Sequence, residues 1–371
     1  MRQVVVDGSP AAVTELFGGL RAALDGSGPP VVPVDPGVPV TGSEPAAGIA
    51  LVVPTSGSTG DAKGVLLAAS ALRASATATH GRLGGPGRWL LALPARHIAG
   101  VQVLVRSILA GHDPALMDTS AGFRPHGFAE AASGVLVLGG PRYTALVPTQ
   151  LARLVEAGGD GLRALRGFDA VLLGGAATPS ALLERARAAG VRVVTTYGMT
   201  ETAGGCVYDG VPLDGVRVRL GAGGVVEIAG PTLASGYWDR PFETEAAFAG
   251  GWFRTGDLGR LGSDGRLEVL GRVDDLINTG GVKVAATAVE RVLAARPGVV
   301  EACVVGLPDP EWGQRVAAAV VGGSTVDDDD LRAAVRAELG AVAVPRVIRR
   351  VDRLPLRGPG KVDRAAVADL F

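Results

Sequence analysis

The chain has 371 residues, of which 47% are hydrophobic, and a formal net charge of −1 at pH 7. This length exceeds that of one typical hydrophobic core and predicts about two domains. The near-neutral charge gives no electrostatic support for nucleic acid or an acidic membrane as a partner. No apolar run approaches the roughly 18 residues needed to cross a bilayer, and the first ten residues lack the apolar region of a secretory signal.

The cysteines and lysines are few. Two cysteines, Cys206 and Cys303, cannot form a disulfide framework, which predicts a reducing, cytoplasmic setting. Neither has a histidine partner in a recognisable arrangement, so we interpret both as buried packing residues. Only three of the 36 basic residues are lysines, namely Lys63, Lys283 and Lys361. A compositional bias toward arginine explains this, but these positions could also need the compact charge of lysine.

Short apolar runs alternate with helix-like segments through most of the chain, which predicts an α/β fold. The pattern of predicted helices and strands changes after residue 272. We therefore predict a large N-terminal domain with layered sheets at 1–272 and a small, mobile α+β domain at 273–371. The first 50 residues, although rich in proline and glycine, hold no motif that we can interpret. The predicted elements are strands at 49–53, 170–173 and 191–195, a helix at 179–189 between the last two, a helix at 286–295, strands at 302–305 and 316–321, and a helix at 331–339 capped by the acids of 327–330.

A segment rich in glycine and hydroxyl residues follows the first of these strands. Glycines let a backbone approach a ligand closely, while hydroxyls, N–H groups and one lysine suit phosphate oxygens. The spacing differs from that of a Walker A loop, and the alternative interpretation is a flexible linker. We therefore predict a phosphate-binding loop at 54–64, with the candidate residues Thr55, Ser56, Gly57, Ser58, Thr59, Gly60 and Lys63.

This segment resembles the phosphate loop of the adenylate-forming superfamily, which includes acyl-CoA ligases, luciferases and adenylation domains. Five further segments resemble motifs of the family and follow in the same order: 174–177, 197–202, 251–257, 271–275 and 354–361. The resemblance covers roughly residues 49–371. It implies activation of a carboxylic acid by ATP with Mg²⁺, release of AMP and pyrophosphate, and transfer of the acyl group to the thiol of coenzyme A.

The resemblance also implies roles for residues around the nucleotide. Tyr197, followed by Gly198, would lie against adenine, Thr200 would contact phosphate, and Glu201 would help to hold Mg²⁺, a hard cation that prefers oxygen ligands. Thr200 and Glu201, with Lys361, are thus candidate catalytic residues. Residues packing against adenine and the acyl pocket would be Gly174, Gly175 and Ala176.

The later motifs would complete the site and carry the hinge. Asp257 and Arg272 would hold the ribose, since a carboxylate can accept from both hydroxyls. Asp274 would be the hinge between the domains. Lys361 would bridge the substrate carboxylate and the α-phosphate as charge develops. The Gly358-Pro359 pair departs from the family's usual residues here and should change the stiffness of the loop.

Other residues would lie on the acid and CoA side. His97 resembles the residue that borders the acyl pocket, and the alternative is a core histidine or a helix cap. Gly280 and Gly281 would line the pantetheine tunnel. Lys283 is either a solvated basic residue or a group that attracts the phosphates of CoA.

Three segments, 146–151, 172–179 and 201–210, are similar to o-succinylbenzoate–CoA ligases of a short actinobacterial type, which act in menaquinone biosynthesis. Such a substrate needs apolar pocket walls with a few donors. Fewer residues precede the phosphate loop than is common in the family. We therefore expect an abbreviated N-terminal subdomain, with the acyl side less enclosed or enclosed by the second subunit of a homodimer.

Other functions remain open at this point. The chain could be another aryl- or acyl-CoA ligase, or a stand-alone adenylation domain that loads a carrier protein. A non-catalytic adenylate-binding relative is a third possibility, although the intact Glu201, Asp257, Arg272 and Lys361 argue against it.

Overall fold

The computed structural model describes residues 1–38, 40–55, 63–322, 327–357 and 361–371. Within these ranges the helices are α1 Pro10–Asp25, α2 Ala69–Leu83, α3 Ile98–Ala110, α4 Pro125–Leu136, α5 Pro148–Ala157, α6 Gly159–Arg166, α7 Ser180–Ala188, α8 Pro241–Ala247, α9 Ala286–Ala294, α10 Asp328–Leu339 and α11 Arg364–Ala368. None of the helices in these ranges combines the length and the apolar character needed to cross a membrane.

The strands are short and lie between the helices. They are β1 Arg2–Val5, β2 Val31–Val34, β3 Ile49–Thr55, β4 Lys63–Ala68, β5 Arg88–Leu91, β6 Ala115–Leu116, β7 Arg142–Leu146, β8 Ala170–Leu173, β9 Val193–Met199, β10 Gly204–Tyr208, β11 Val211–Pro212, β12 Arg217–Leu220, β13 Val225–Ala229, β14 Gly236–Tyr237, β15 Phe248–Ala249, β16 Trp252–Leu261, β17 Leu267–Arg272, β18 Leu276–Thr279, β19 Val282–Ala285, β20 Val299–Asp309, β21 Gly313–Gly322, β22 Val347–Arg350, β23 Leu356–Arg357 and β24 Lys361–Val362.

The chain forms two compact units. The larger comprises Met1–Ala177, Arg185–Arg219 and Glu227–Thr255, and the smaller comprises Thr178–Glu184, Leu220–Val226 and Gly256–Phe371. The α/β class and the division into a large and a small part are therefore as the sequence predicts. A functional boundary after residue 272 stays a prediction.

The larger unit contains two sheets, with strand orders β1-β2-β3-β4-β14 and β11-β10-β9-β8-β7-β5-β6 among the described residues. Strands β5, β7, β8 and β9 are parallel, so their carboxyl ends meet at one edge. In α/β sheets that edge is where ligands bind. The chain then reverses, because β10 pairs antiparallel with β9.

Most predicted elements of this sheet are confirmed, and one is displaced. Strand β8 has the predicted bounds, and α7 begins one residue after Pro179. The strand predicted at 191–195 instead runs from Val193 to Met199. The strand extends to Met199 because its backbone pairs antiparallel with β10 as far as that residue. The local sequence pattern does not show that a pairing strand is present.

A buried polar cluster lies in the core of the larger unit. Arg106 on α3 is 3% exposed, and its guanidinium lies 5.0 Å from the ring centroid of Trp89. It donates from Nη2 to Tyr208 Oη at 3.3 Å. Nearby His80 is 6% exposed, and burial followed by the positive charge of Arg106 lowers its pKa to about 4. The histidine is therefore neutral near pH 7.

The smaller unit has its own apolar cores. Helices α9 and α10 pack on the sheet β19-β18-β21-β20, where Val289, Leu293 and Leu331 are fully buried. Asp327 caps α10 by accepting a hydrogen bond from the amide of Asp329, which confirms the predicted cap. A short β23–β24 pair precedes α11, whose Val367 is fully buried.

Candidate active site

The stem of the predicted phosphate loop is a pair of antiparallel strands. Thr55 ends β3 and lies opposite Lys63, the first residue of β4. The hydroxyl of Thr55 donates to the carbonyl oxygen of Lys63 at 3.0 Å. The structure thus holds the two ends of the predicted loop together. The loop candidates Ser56, Gly57, Ser58, Thr59 and Gly60 lie outside the described residues.

Lys63 and Glu201 both contact Tyr237. The Nζ atom of Lys63 lies 5.2 Å from the ring centroid of Tyr237, and Tyr237 Oη donates to Glu201 Oε1 at 3.0 Å. Burial raises the pKa of Tyr237, and the charge of Glu201 and their hydrogen bond raise it further. The phenol therefore stays protonated and remains a donor to the predicted metal-binding carboxylate.

Tyr237 carries no signal in the sequence alone. It reaches the site because β14 pairs antiparallel with β4, which places Tyr237 opposite Val65. The amide of Trp238 extends this attachment by donating to the carbonyl of Gly64 at 2.7 Å. A pairing between residues so far apart in sequence has no local pattern from which it could be predicted.

The turn that carries Glu201 is held by buried hydrogen bonds. Thr200–Thr202 forms a 3-10 turn directly after β9, and Thr200 is 8% exposed. The next residue, Ala203, has φ +50°, which is unfavourable for a residue with a side chain. Its carbonyl accepts from Ser75 Oγ at 2.9 Å and from Gln102 Nε2 at 2.7 Å. These two bonds stabilise the turn beneath the carboxylate.

The donor set suits magnesium bound together with a nucleotide. Within the described ranges, no group of three or more His, Cys, Asp or Glu side chains could hold a metal ion by itself. Mg²⁺ usually keeps several waters and is bound by one or two carboxylates and the substrate's phosphates. A single oriented carboxylate at Glu201, near the predicted phosphate loop, fits this pattern.

The predicted adenine segments lie at the carboxyl ends of neighbouring parallel strands. Tyr197 and Gly198 lie near the end of β9, and the Gly174–Ala176 segment follows β8. A Cβ atom on Gly174 would lie 2.3 Å from Thr196 Oγ1, and one on Gly198 would lie 2.2 Å from the carbonyl oxygen of Gly204. Both glycines are therefore required by close packing, whatever they contact in a ligand.

His97 lies at the same edge of the sheet. It is the N-cap residue of α3, the helix that follows β5, and its side chain is exposed. A core position for His97 is therefore wrong. The residue has the N-cap position, but its side chain makes no capping hydrogen bond to the helix. Its role beside the acyl pocket stays a prediction.

The smaller unit joins the predicted ribose and hinge residues in one ionic network. Asp257 and Arg272 are opposite each other on β16 and β17, with Nη1 to Oδ1 at 3.7 Å. Arg272 also donates from Nη2 to Asp274 Oδ2 at 3.1 Å. Burial alone would lower the pKa of Arg272, but the bond to Asp274 and the nearby acids outweigh it and raise the pKa. A Cβ on Gly256 would lie 2.8 Å from Arg272 Nη2, so glycine leaves room for the guanidinium.

The predicted CoA-side glycines form a tight turn. Gly280 and Gly281 connect β18 to β19 with φ +59° and +79°, as a type I′ hairpin turn requires. A Cβ on Gly280 would also lie 2.4 Å from the ring of Trp312. The hairpin alone accounts for both glycines, and their place in a pantetheine tunnel stays a prediction. Lys283 is exposed on β19.

The remaining candidates differ in what the structure describes. Lys361 begins β24 opposite Arg357, while its side chain lies outside the described part of the protein. Cys206 and Cys303 are at most 1% exposed, and burial raises the pKa of each thiol to about 12. Their interpretation as buried packing residues is confirmed.

Comparison with known proteins identifies the family. The sequence profile of the AMP-binding enzymes matches residues 20–238, and that of the AMP-binding enzyme C-terminal domain matches residues 288–361. The chain is 48% identical over 373 aligned residues to a probable 2-succinylbenzoate–CoA ligase of Mycobacterium tuberculosis strain H37Rv, covering 97% of this chain and 96% of that relative.

Two solved structures show the same fold over almost the whole chain. The amide bond synthetase McbA from Marinactinospora thermotolerans matches with a TM-score of 0.79 and 30% identity, covering 100% of this chain and 80% of that one. The o-succinylbenzoate–CoA synthetase from Bacillus subtilis, in complex with its acyl-adenylate intermediate, matches with a TM-score of 0.75 and 28% identity, covering 95% and 80%. The predicted superfamily is confirmed: this chain belongs to the family of AMP-binding enzymes.

Proposed function

We propose that this protein is an ATP-dependent 2-succinylbenzoate–CoA ligase of menaquinone biosynthesis. In the first step a substrate carboxylate oxygen attacks the α-phosphorus of ATP, giving an acyl-adenylate and pyrophosphate. In the second step the thiol of CoA loses its proton and attacks the acyl carbon, and AMP leaves. One ATP and one CoA are consumed for each thioester.

The observation that carries this proposal is the 48% identity to the mycobacterial ligase across nearly all of both chains. The Lys63–Tyr237–Glu201 arrangement supports it, since it places a cation and an oriented carboxylate beside the predicted phosphate loop. The B. subtilis synthetase of the same fold has also been solved with ATP and a magnesium ion, at a TM-score of 0.74 and 27% identity.

Each candidate residue then has a task. Glu201 would hold Mg²⁺, which supplies neutralising charge at the phosphates when bound. Asp257 would accept from the ribose hydroxyls, with Arg272 beside it. Lys361 would stabilise charge that develops between the carboxylate and the α-phosphate.

The test is product analysis with a panel of acids containing 2-succinylbenzoate, benzoate and medium-chain fatty acids. We expect AMP and pyrophosphate, with kcat/KM highest for 2-succinylbenzoate. Stoichiometric ADP would indicate an acyl-phosphate mechanism and refute the reaction. A fatty acid as the best substrate would leave the reaction standing and refute the substrate.

The scarcity of lysine provides a matched control for this test. Lys361→Ala and Lys283→Ala each remove one of the chain's three lysines, both from the smaller unit. We expect adenylate formation to fall by roughly 10²–10³-fold in the first variant and to be retained in the second. Equal loss in both variants would contradict the assignment of Lys361.

The similarity to an amide bond synthetase favours a second candidate, in which an amine rather than CoA accepts the acyl group. Competition between CoA and simple amines for the preformed acyl-adenylate separates the two. We expect CoA to be preferred. A cytoplasmic location and a homodimer stay predictions, of which sedimentation analysis tests the second.

A further inference from the structure

Arg364, which no motif assignment includes, lies at the centre of a partly buried ionic cluster in the smaller unit. It donates from Nη1 and Nη2 to the two carboxylate oxygens of Glu290, at 2.6 and 3.0 Å, and from Nη1 to the carbonyl of Val304 at 2.7 Å. Its Nε atom lies 3.1 Å from Asp275 Oδ2. The side chains of Arg364, Glu290 and Asp275 are 27%, 17% and 24% exposed.

The bidentate geometry makes this a strong attachment. Parallel hydrogen bonds between a guanidinium and a carboxylate supply both energy and a defined orientation, which a lysine cannot reproduce. Burial alone would lower the pKa of Arg364, but the hydrogen bonds and charge of Glu290 outweigh it and raise the pKa. The cation is therefore retained throughout the working pH range.

The cluster joins two segments that the proposed function uses separately. Arg364 is three residues after Lys361 and begins α11, while Asp275 directly follows the predicted hinge residue Asp274. Asp363 strengthens the first connection, because its amide donates to the carbonyl of Pro355 at 2.9 Å, across the β23–β24 pair. The backbone of Lys361 is thus attached through Arg364 to the residue beside the hinge.

We propose that Arg364 is a positioning residue that makes the β23–β24 strand pair, which contains Lys361, move with the hinge and holds the lysine in register for adenylation. This inference rests on the proposed function and on the assignment of Lys361 to the first half-reaction. Asp275, Glu290 and Arg364 all follow the hinge in sequence, so their contacts travel together when the hinge rotates. Without the attachment, the lysine would approach the α-phosphate with a wider range of positions.

The perturbation must avoid leaving buried charge unpaired. Removing Arg364 alone would leave Glu290 and Asp275 as neighbouring carboxylates without their cation, which destabilises the fold for an unrelated reason. The double variant Arg364→Gln/Glu290→Gln removes one charge of each sign, and of the two acids only Asp275, which is 24% exposed, loses its pairing with this cation. The amide oxygen of the glutamine introduced in place of Glu290 can still accept the bond that Glu290 Oε1 receives from the amide of Val304 at 2.7 Å.

The chain offers a matched control pair in the same unit. Arg350 on β22 donates to Asp328 Oδ1 at 2.6 Å, and these side chains are 34% and 36% exposed. The variant Arg350→Gln/Asp328→Asn therefore removes a comparable ion pair whose two residues lie on β22 and α10, outside the β23–β24 strand pair. Its melting temperature calibrates the purely structural cost of losing such a pair.

The experiment measures the two half-reactions and the melting temperature for the full-length wild type, the Arg364/Glu290 double variant, Arg364→Lys and the control pair. Adenylation is followed by acid-dependent ATP–pyrophosphate exchange, and thioester formation by mixing synthetic acyl-adenylate with CoA. We expect adenylation in the double variant to fall by about 10²-fold, as misplacement of a catalytic group by roughly 1 Å can cause. Thioester formation should stay near the wild-type rate, the melting temperature near that of the control pair, and Arg364→Lys should rescue adenylation only in part.

Two outcomes would overturn the positioning role. An equal fall in both half-reactions together with a lower melting temperature would show that Arg364 only stabilises the fold. Unchanged adenylation in the double variant would show that the position of the β23–β24 strand pair does not depend on Arg364. If the wild type failed to adenylate 2-succinylbenzoate but adenylated another acid, the proposed substrate would be refuted. The half-reactions would then be compared with that other acid, so the positioning role would still be tested.

Discussion

Replacing Tyr237 by phenylalanine removes one hydroxyl from the centre of the candidate site. The ring that faces Lys63 is kept, whereas the 3.0 Å hydrogen bond to Glu201 is lost. A hydrogen bond to a charged group is worth about 1.5–3 kcal/mol, and because Tyr237 is only half-buried we take the lower value. About 1.4 kcal/mol corresponds to a tenfold change in an equilibrium constant. We therefore expect half-maximal activity to need about ten times more Mg²⁺, since a metal-binding carboxylate loses its orienting partner.

The assay is a Mg²⁺ titration of acid-dependent pyrophosphate release at saturating ATP. Tyr143→Phe is the control, because Tyr143 is a buried tyrosine whose hydroxyl donates to the backbone carbonyls of Leu83 and Gly85 instead of a carboxylate. It should lose stability without a change in the Mg²⁺ requirement. An unchanged or lower Mg²⁺ requirement in Tyr237→Phe would refute the idea that the phenol orients the metal-binding group.

Three further substitutions separate the roles of the other candidates. Glu201→Gln keeps the side-chain volume but removes the charge, so activity should fall and need more Mg²⁺, and an unchanged titration would place Glu201 away from the metal. Lys361→Ala should slow adenylation by roughly 10²–10³-fold, while thioester formation from synthetic acyl-adenylate continues. Equal loss of both half-reactions in a folded variant would rule out a specific adenylation role for Lys361. Asp274→Pro should slow thioester formation more than adenylation, because proline restrains φ near roughly −65° and obstructs rotation, whereas the adenylation site loses only the bond from Arg272 to Asp274. Retained thioester formation would show that Asp274 is no hinge.

The parts of the fold that the sequence predicted are those with local causes. Strand β8 is a continuous apolar run that ends at glycines, and α7 follows a proline that suits the first turn of a helix. The acids at 327–330 likewise complement a helix N-terminus, and Asp327 is indeed the cap. In each case the signal and the structure it specifies lie within one short segment.

The missed residues depend on pairings between distant segments. Tyr237 meets Glu201 only because β14 adds to the edge of β4, and Arg364 meets Glu290 only because α11 packs beside α9 and β20. A single sequence contains no periodicity that reports such contacts. Gly280 and Gly281 show a different difficulty, because a type I′ turn already requires glycine there, and the sequence alone does not separate that local need from the approach of a ligand.

The last prediction concerns stability in acid and depends on His80. Its pKa is about 4 in the folded protein, against an ordinary value of 6.5 that applies to the unfolded chain. Between these values the unfolded chain binds a proton that the folded protein does not, so the free energy of unfolding decreases as the pH falls from about 6.5 to about 4. The difference corresponds to at most about 3 kcal/mol.

His80→Leu removes the titrating group and should flatten this part of the stability curve, measured by urea unfolding at a series of pH values. His126→Leu is the control, because His126 is an exposed histidine on α4. Carboxylates also titrate in acid, but they are common to all three proteins and cancel in the difference between curves. If the curves of wild type and His80→Leu ran parallel from pH 6.5 to 4, the buried neutral histidine would not be a source of acid sensitivity. If the stability curve of His126→Leu ran parallel to that of the wild type while the curve of His80→Leu was flattened, the acid sensitivity would be assigned to the buried cluster that contains His80 and Arg106.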